Sequence, residues 1–353
     1  MLRSLIPLFL FFQAAALCAQ GNAASDSLVT EGVRLHDEGK YEEALARFGQ
    51  AVKLDEKNGN ALYETGNTYF AIADYKQALK YADKTIKNNR AAVPEAYMLK
   101  GNALDMLDKP DKAIDVYKEG IKRGYKSHLL HFNLGVTLLK QKKYGEAAPE
   151  FIQTLKMEPG YVSAHYMLGY CNAEQSRKVK TLLPLYYFLL LENEGRRAEV
   201  ALNFIKKTMT EGVMQTGKQV FTINMDSRAM DDEFGAIDMS LSMIPIAREM
   251  SAKALKDSLG VNLPEQTFSQ QLLKYNESLF RILSEMNERP ADTFWWNTYA
   301  DFFVEMQQKG HTEAFTNYIL IHSSDKTALE WLIANKPKLE AFSDWIKKYQ
   351  EKK

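Results

Sequence analysis

The chain has 353 residues, enough for one elongated array or two packed units with a sizeable apolar core. Its 45 Lys plus Arg equal its 45 Asp plus Glu, so no overall field draws it to nucleic acid or to an anionic membrane. The only cysteines are Cys18 and Cys171, which argues against a disulfide-stapled scaffold.

Residues 1–19 read as a secretory signal: Arg3, the apolar stretch Leu5–Phe12, and small residues from Ala14 to Ala19 before Gln20. The apolar run is shorter than the roughly 20 residues that span a bilayer, so the expectation is cleavage and an exported chain. The alternatives are retention as an anchor and lipid attachment at Cys18; Leu17 stands where a lipoprotein signal wants a small residue. Cleavage leaves Cys171 as a lone thiol, so stability must come from packing.

From residue 25 onward an internal period dominates. Gly32, Gly66, Gly101, Gly135 and Gly169 are spaced 34, 35, 34 and 34 residues apart. Twelve residues after each comes Ala44, Ala78, Ala113, Ala147 or Thr181, and four further on Phe48, Ala82, Tyr117, Phe151 or Leu185. Two antiparallel helices approach closely where one presents glycine and the other alanine, with a large side chain filling the space one turn later.

This spacing resembles the tetratricopeptide-repeat family at its small, small and bulky positions, and Pro159 meets its breaker position in the fourth unit. Glu56 and Arg90 depart from that breaker in the first two units, and Thr181 departs from the alanine in the fifth. The resemblance implies five helix pairs at about 25–58, 59–93, 94–127, 128–161 and 162–192: an all-α, α-α superhelical solenoid. In the fifth, Pro184 falls inside the second helix and the run Leu182–Leu191 is almost wholly apolar, which predicts a helix covered on all sides by the C-terminal part of the chain.

A connecting segment, 193–232, comes next. It includes a helix around Arg197–Met209 and an alternating run Val220–Met225 that reads as a short strand or extended loop with no evident mate. Beyond it lies a C-terminal helical domain, 233–353, with helices near 233–258, 265–288, 291–309, 311–322, 325–335 and 337–350 punctuated by Gly260, Pro264, Pro290, Gly310 and Pro337. All four tryptophans, Trp295, Trp296, Trp331 and Trp345, lie here. Their spacing predicts the core of a small bundle, and an exposed aromatic surface for a partner is the competing reading.

No zinc, nucleophile-elbow, phosphate-loop or paired-cysteine motif occurs. Cys171 sits two residues after a packing glycine, where a small buried residue is wanted. His128 and His131 stand a turn apart at the start of the fourth unit and His165 repeats the place of His131 one unit later, too far away to share one zinc, so they read as filler between helices. His311 and His322 stand nearly in phase on a predicted helix with Glu313 between them, three turns apart and again unable to share a metal.

By family resemblance one stripe of each unit's first helix faces inward. That stripe supplies the candidate partner-binding groove: Tyr63, Met98, Phe132 and Tyr166 at its fifth place, Asn67, Asn102, Val136 and Tyr170 at its ninth. Asn67 and Asn102 read either as stacked amides able to pair with an extended backbone or as solvated helix positions, and the large side chains would receive side chains. Heat-shock co-chaperones of the family grip a carboxylate with basic residues, but Val29, Glu95 and Leu99 stand at those positions here, so that clamp is missing.

The expectation is a non-enzymatic scaffold or adaptor of the cell envelope, periplasmic, with no metal or cofactor. It would hold an extended segment or helix of another protein, and homo-oligomerisation stays open. One alternative is an accessory subunit whose groove is filled by its own C-terminal half and whose aromatic surface near Trp295 and Trp296 meets the partner. The other is an enzyme using His311 and Glu313.

Overall fold

The computed structural model describes residues 23–88, 91–211, 213–217, 220–223, 233–260, 262, 264–286 and 294–351. The signal segment and the Asn224–Met225 end of the alternating run lie outside the described residues. Contacts divide the chain between Gln141 and Lys142 into two compact units.

The first unit is helical throughout its described residues: α1 (23–37), α2 (Tyr41–Leu54), α3 (Gly59–Ala71), α4 (Tyr75–Asn88), α5 (Val93–Met106), α6 (Pro110–Lys122) and α7 (His128–Lys140). Their starts reflect local chemistry. Asn58 caps α3 through its side chain on the Ala61 amide, and Pro110 opens α6 at the position where its missing N–H costs nothing.

Glycine sits in the first helix of each pair for a measurable reason. A Cβ on Gly32 would lie 2.4 Å from the Phe48 ring, and one on Gly101 would lie 2.2 Å from the Tyr117 ring. In the second pair the bulky position is only Ala82, and Leu99 from the following helix comes within 2.9 Å of the same point on Gly66. Ala44, Ala78 and Ala113, at the small position of the facing helices, are wholly buried.

The turns inside successive pairs repeat as strictly as the glycines. Gly39, Ala73, Asp108, Lys142 and Ser176 all have φ between 54° and 75°, yet only the first is glycine. The next amide then reaches back five residues, Lys40 to Leu35, Asp74 to Tyr69 and Lys109 to Leu104, each at 2.8–2.9 Å, closing the helix end as a Schellman turn.

The second unit carries α8 (Tyr144–Met157), α9 (Val162–Ala173), α10 (Lys178–Leu191), α11 (Gly195–Thr210), strands β1 (Val213–Gly217) and β2 (Val220–Ile223), then α12 (Gly235–Leu259) and α13 (Phe268–Glu285). A π-helical turn, Trp296–Ala300, leads into α14 (Asp301–Gln308), followed by α15 (Thr312–Tyr318), α16 (Lys326–Ala334) and α17 (Lys336–Glu351). Thr267 and Gln270 form a reciprocal capping box at the start of α13. The alternating run does have a mate: β1 pairs antiparallel with β2, Val213 opposite Ile223, with an irregularity between Gln215 and Gly217. This hairpin is a local exception in an otherwise all-α fold.

Helix α10 is the centre of this unit. Leu182, Leu183, Leu185, Tyr186, Phe188 and Leu189 have no exposed surface, and Pro184 is accommodated within the continuous helix. The Tyr186 ring lies 6.3, 5.9 and 5.5 Å from those of Phe280, Phe303 and Phe315, and its hydroxyl donates to Asn276 Oδ1 at 2.5 Å. Asp238 of α12 accepts the amides of Lys178 and Val179 at 2.9 and 2.8 Å, capping α10 from sixty residues downstream. The buried Lys178 ammonium donates to the carbonyls of Thr208 and Glu211 at 2.6 and 2.8 Å, closing the C-terminal end of α11.

Two substitutions of opposite sign test this account. Gly101→Ala forces the Tyr117 ring to shift and should cost about 1–3 kcal/mol, whereas Ala73→Gly relieves a left-handed alanine and should gain about 1 kcal/mol. Urea denaturation of each variant reads both; stabilisation by Gly101→Ala would contradict the packing described.

Candidate protein-interaction groove

In the first unit the odd-numbered helices lie side by side, tied together by side chains. Asn58 Nδ2 donates to Ser25 Oγ and Asp26 Oδ1, each at 2.9 Å, joining α3 to α1. His36 Nδ1 and Thr68 Oγ1 meet at 2.9 Å, and Asn133 Nδ2 donates to Asn102 Oδ1 at 3.2 Å, joining α7 to α5. Lys140 pairs with Asp105 across the same two helices.

All six predicted groove residues of this unit, Tyr63, Asn67, Met98, Asn102, Phe132 and Val136, are half-buried. The asparagines depart from the expected stacked pair, because their hydrogen bonds go elsewhere. Asn67 donates to Glu64 of its own helix at 3.4 Å, while the Asn102 carbonyl oxygen accepts the Tyr117 hydroxyl at 2.6 Å as well as Asn133. The amide ladder is therefore Asn102–Asn133. Asn133 occupies the sixth place of its helix, where Leu99 and Met167 stand in the neighbouring units; a polar residue between two apolar equivalents was the available signal. Below the ladder is a cleft of about 150 Å³ whose lining includes Phe70, Asp105, Val136 and Lys140.

The electrostatics of this face are set by burial. Tyr63 is pushed up to about 12, first by burial and then by the carboxylates of Glu64 and Glu95. Burial also pushes Glu64 up, with Asp37 adding to it and Asn67 and His36 opposing.

Tyr166 and Tyr170 lie in the second unit and are also half-buried. Tyr166 packs 5.1 Å from Phe188 with the Arg197 guanidinium 6.0 Å from its ring, and Tyr170 stands edge-on to Tyr144 and Phe204.

Other candidate sites resolve into structure. Trp295 and Trp296 are 4% and 1% exposed, so they form no open aromatic surface: Trp296 packs on Phe234 at 6.0 Å, and the Lys180 ammonium lies 5.1 Å over Trp295. His311 and His322 do not share a helix, since α15 ends at Tyr318. His311 packs against Phe342 and Trp345, and Glu313 accepts from Trp331 Nε1 and the Lys338 ammonium, each at 2.9 Å. Cys171 is fully buried, and burial raises its thiol to about 12. Among the described residues no three His, Cys, Asp or Glu side chains stand close enough to hold a metal ion, and no helix is long and apolar enough to cross a membrane.

His165 is no mere filler either. Nε2 lies 2.9 Å from the Pro159 carbonyl, which can only accept, so the proton is on Nε2 and Nδ1 accepts the Tyr299 hydroxyl at 2.7 Å.

Helix pairs repeated in phase, closed by glycine against the facing helix, define a helical-repeat protein. Tetratricopeptide-repeat models match residues 32–72 and, from a second model, 63–128 and 132–180. This part of the chain therefore consists of tetratricopeptide repeats. The chain is 27% identical over 139 residues, 37% of this chain, to Tetratricopeptide repeat protein 6 of Homo sapiens, and spans about a quarter of that protein's length. Among solved structures, YrrB, described as a TPR protein with an unusual peptide-binding site, is 22% identical with a TM-score of 0.41, over 51% of this chain and 90% of that one. PilF of Pseudomonas aeruginosa is 17% identical with a TM-score of 0.45, over 54% and 90%.

Burial lowers His165 to about 4 from an ordinary 6.5, so the unfolded chain takes up its proton first as pH falls. The stability this neutral imidazole contributes is complete above pH 6.5 and drains away between about 6.5 and 4. Denaturation at pH 7 and pH 5 should differ by about 2 kcal/mol more in the wild type than in His165→Gln; equal differences would refute the assignment.

Proposed function

We propose that the chain is a non-enzymatic scaffold that binds another protein, presented as an extended segment or helix, along the inner stripe of its first helices. The observation that carries this is the row of half-buried large side chains Tyr63, Met98 and Phe132 on three adjacent helices. Monomeric surfaces rarely leave such a row uncovered without a purpose. The tetratricopeptide repeats support the reading, since an array of this kind offers wall area rather than an enclosed reaction site.

The segment 1–19 supports a place in the cell envelope after export. N-terminal sequencing of the protein recovered from its cells should begin at Gln20. An intact Met1 in the cytoplasmic fraction would overturn the export reading.

The groove is tested by placing a photo-crosslinking amino acid at Asn67 of the full-length protein and irradiating cells. One discrete adduct is expected, lost on Met98→Glu with the melting temperature unchanged to about 2 °C. The same crosslinker at exposed Lys80 on α4 should give no such adduct. An adduct indifferent to Met98→Glu would exclude this face.

A further inference from the structure

The second unit holds a cleft of about 840 Å³ between α11, α12 and α13. Its wall is largely apolar: Met209 at the end of α11, Ile244, Pro245 and Ala252 on α12, and Tyr275 on α13. Met209 and Tyr275 are buried and the other three half-buried. Sites that enclose most of a small ligand span roughly 300–1,000 Å³, so the cleft is of ligand size.

The cleft follows from a change of character along α12. Up to Ile246 the helix is anchored, with Ile237, Leu241 and Ile246 itself buried, whereas from Ala247 to Ser258 no residue is buried. Pro245 lies at the junction, inside the helix, where it removes the bond to the Leu241 carbonyl. Ile244, Arg248 and Ala252 recur every four residues, so one face of the helix runs along the cleft while its far half has no core of its own.

Charge selects among ligands. Arg248 on α12 and Lys274 on α13 line the cleft as exposed side chains, against one carboxylate, Glu249. Among the described residues neither cation is paired with an acidic side chain. Two of the polar side chains in the wall already bond backbone: Gln271 Nε2 donates to the Gln266 carbonyl at 2.8 Å, and Thr210 Oγ1 to the Lys207 carbonyl at 3.2 Å. A sugar or a peptide would have to bury polar groups against Met209, Ile244 and Ala252 without partners. A neutral hydrocarbon would leave both cations unused.

We propose that this cleft binds a long-chain aliphatic anion, its chain along Met209, Ile244, Ala252 and Tyr275 and its carboxylate or phosphate at Arg248 and Lys274. The site is independent of the groove in the first unit. A free fatty acid and a lysophospholipid share this chemistry, and the test carries both.

Full-length protein is titrated with a dansyl-labelled undecanoic acid, whose fluorescence rises in apolar surroundings. The dye is then displaced with decanoate, dodecanoate and tetradecanoate, with dodecanol, and with lysophosphatidylglycerol. Affinity should rise about fourfold for each added methylene. Dodecanoate should bind at least tenfold more tightly than dodecanol, and the double variant Arg248→Ala, Lys274→Ala should lose that advantage while binding the alcohol as before. Ala252→Trp fills the cleft and should abolish dye binding; Ala254→Trp, exposed on the same helix and outside the wall, should not. None of the substituted side chains is buried, so melting temperatures should hold to about 2 °C. Displacement by the acids identifies a free acid as the ligand and displacement by the lysolipid alone identifies a lipid; either sustains the inference. Absence of dye binding, dye binding indifferent to Ala252→Trp, or equal affinity for dodecanoate and dodecanol would overturn it.

Discussion

A pair of helices in this chain closes because one partner has no side chain where the other places its largest. The Phe48, Tyr117 and Leu185 side chains each lie 2.2–2.5 Å from where a Cβ on the facing glycine would stand, a space no other residue leaves open. That contact fixes which face of the first helix is turned towards its partner, and so which face is left over. Because it recurs at nearly constant spacing, the leftover faces line up, and the half-buried stripe from Tyr63 to Phe132 is the consequence. Where the bulky position shrinks to Ala82, Leu99 takes the space from the next helix, so the constraint is one of filled volume rather than of residue identity.

The period could be read from the chain because it rests on glycine and alanine, whose requirement is local and steric. The fold class came with it. What escaped depends on partners far away in sequence. The mate of Val220–Ile223 is Val213–Gly217, a run with too little alternation to announce a strand. The hydrogen bonds of Asn102 run to Tyr117 and Asn133, fifteen and thirty-one residues away, and so break the pairing with Asn67 that equivalent repeat positions suggested. For Trp295 and Trp296, residue type favours core and binding surface alike, and only Phe234 and Lys180 packing onto them decides it.

The second unit is held by different physics from the first. Its core is aromatic, with Tyr186 ringed by Phe280, Phe303 and Phe315, but it is threaded by buried polar groups whose partners are specified atom by atom. Tyr186 bonds Asn276, which bonds Thr316; His165 joins Tyr299 to Pro159. Apolar packing tolerates sliding, whereas a buried hydroxyl or imidazole without its partner costs free energy on the order of 1–3 kcal/mol. These bonds therefore select one arrangement of α9, α10, α13 and α15 among several that would bury similar area.

The cap on α10 carries this further. The two amides that open the second helix of the fifth pair are satisfied by Asp238, and its side chains by residues beyond 275, so the last repeat has its periodicity in one part of the chain and its solvent shield in another. An ordinary array can gain or lose a unit by duplication or deletion, because each neighbour offers the same surface. Here that freedom ends at the fifth pair. A copied unit inserted after residue 192 would present no aspartate to its own amides and would separate α10 from the helices that cover it. The length of this array is thus set from its C-terminal side, by a junction that accepts one particular helix and no other.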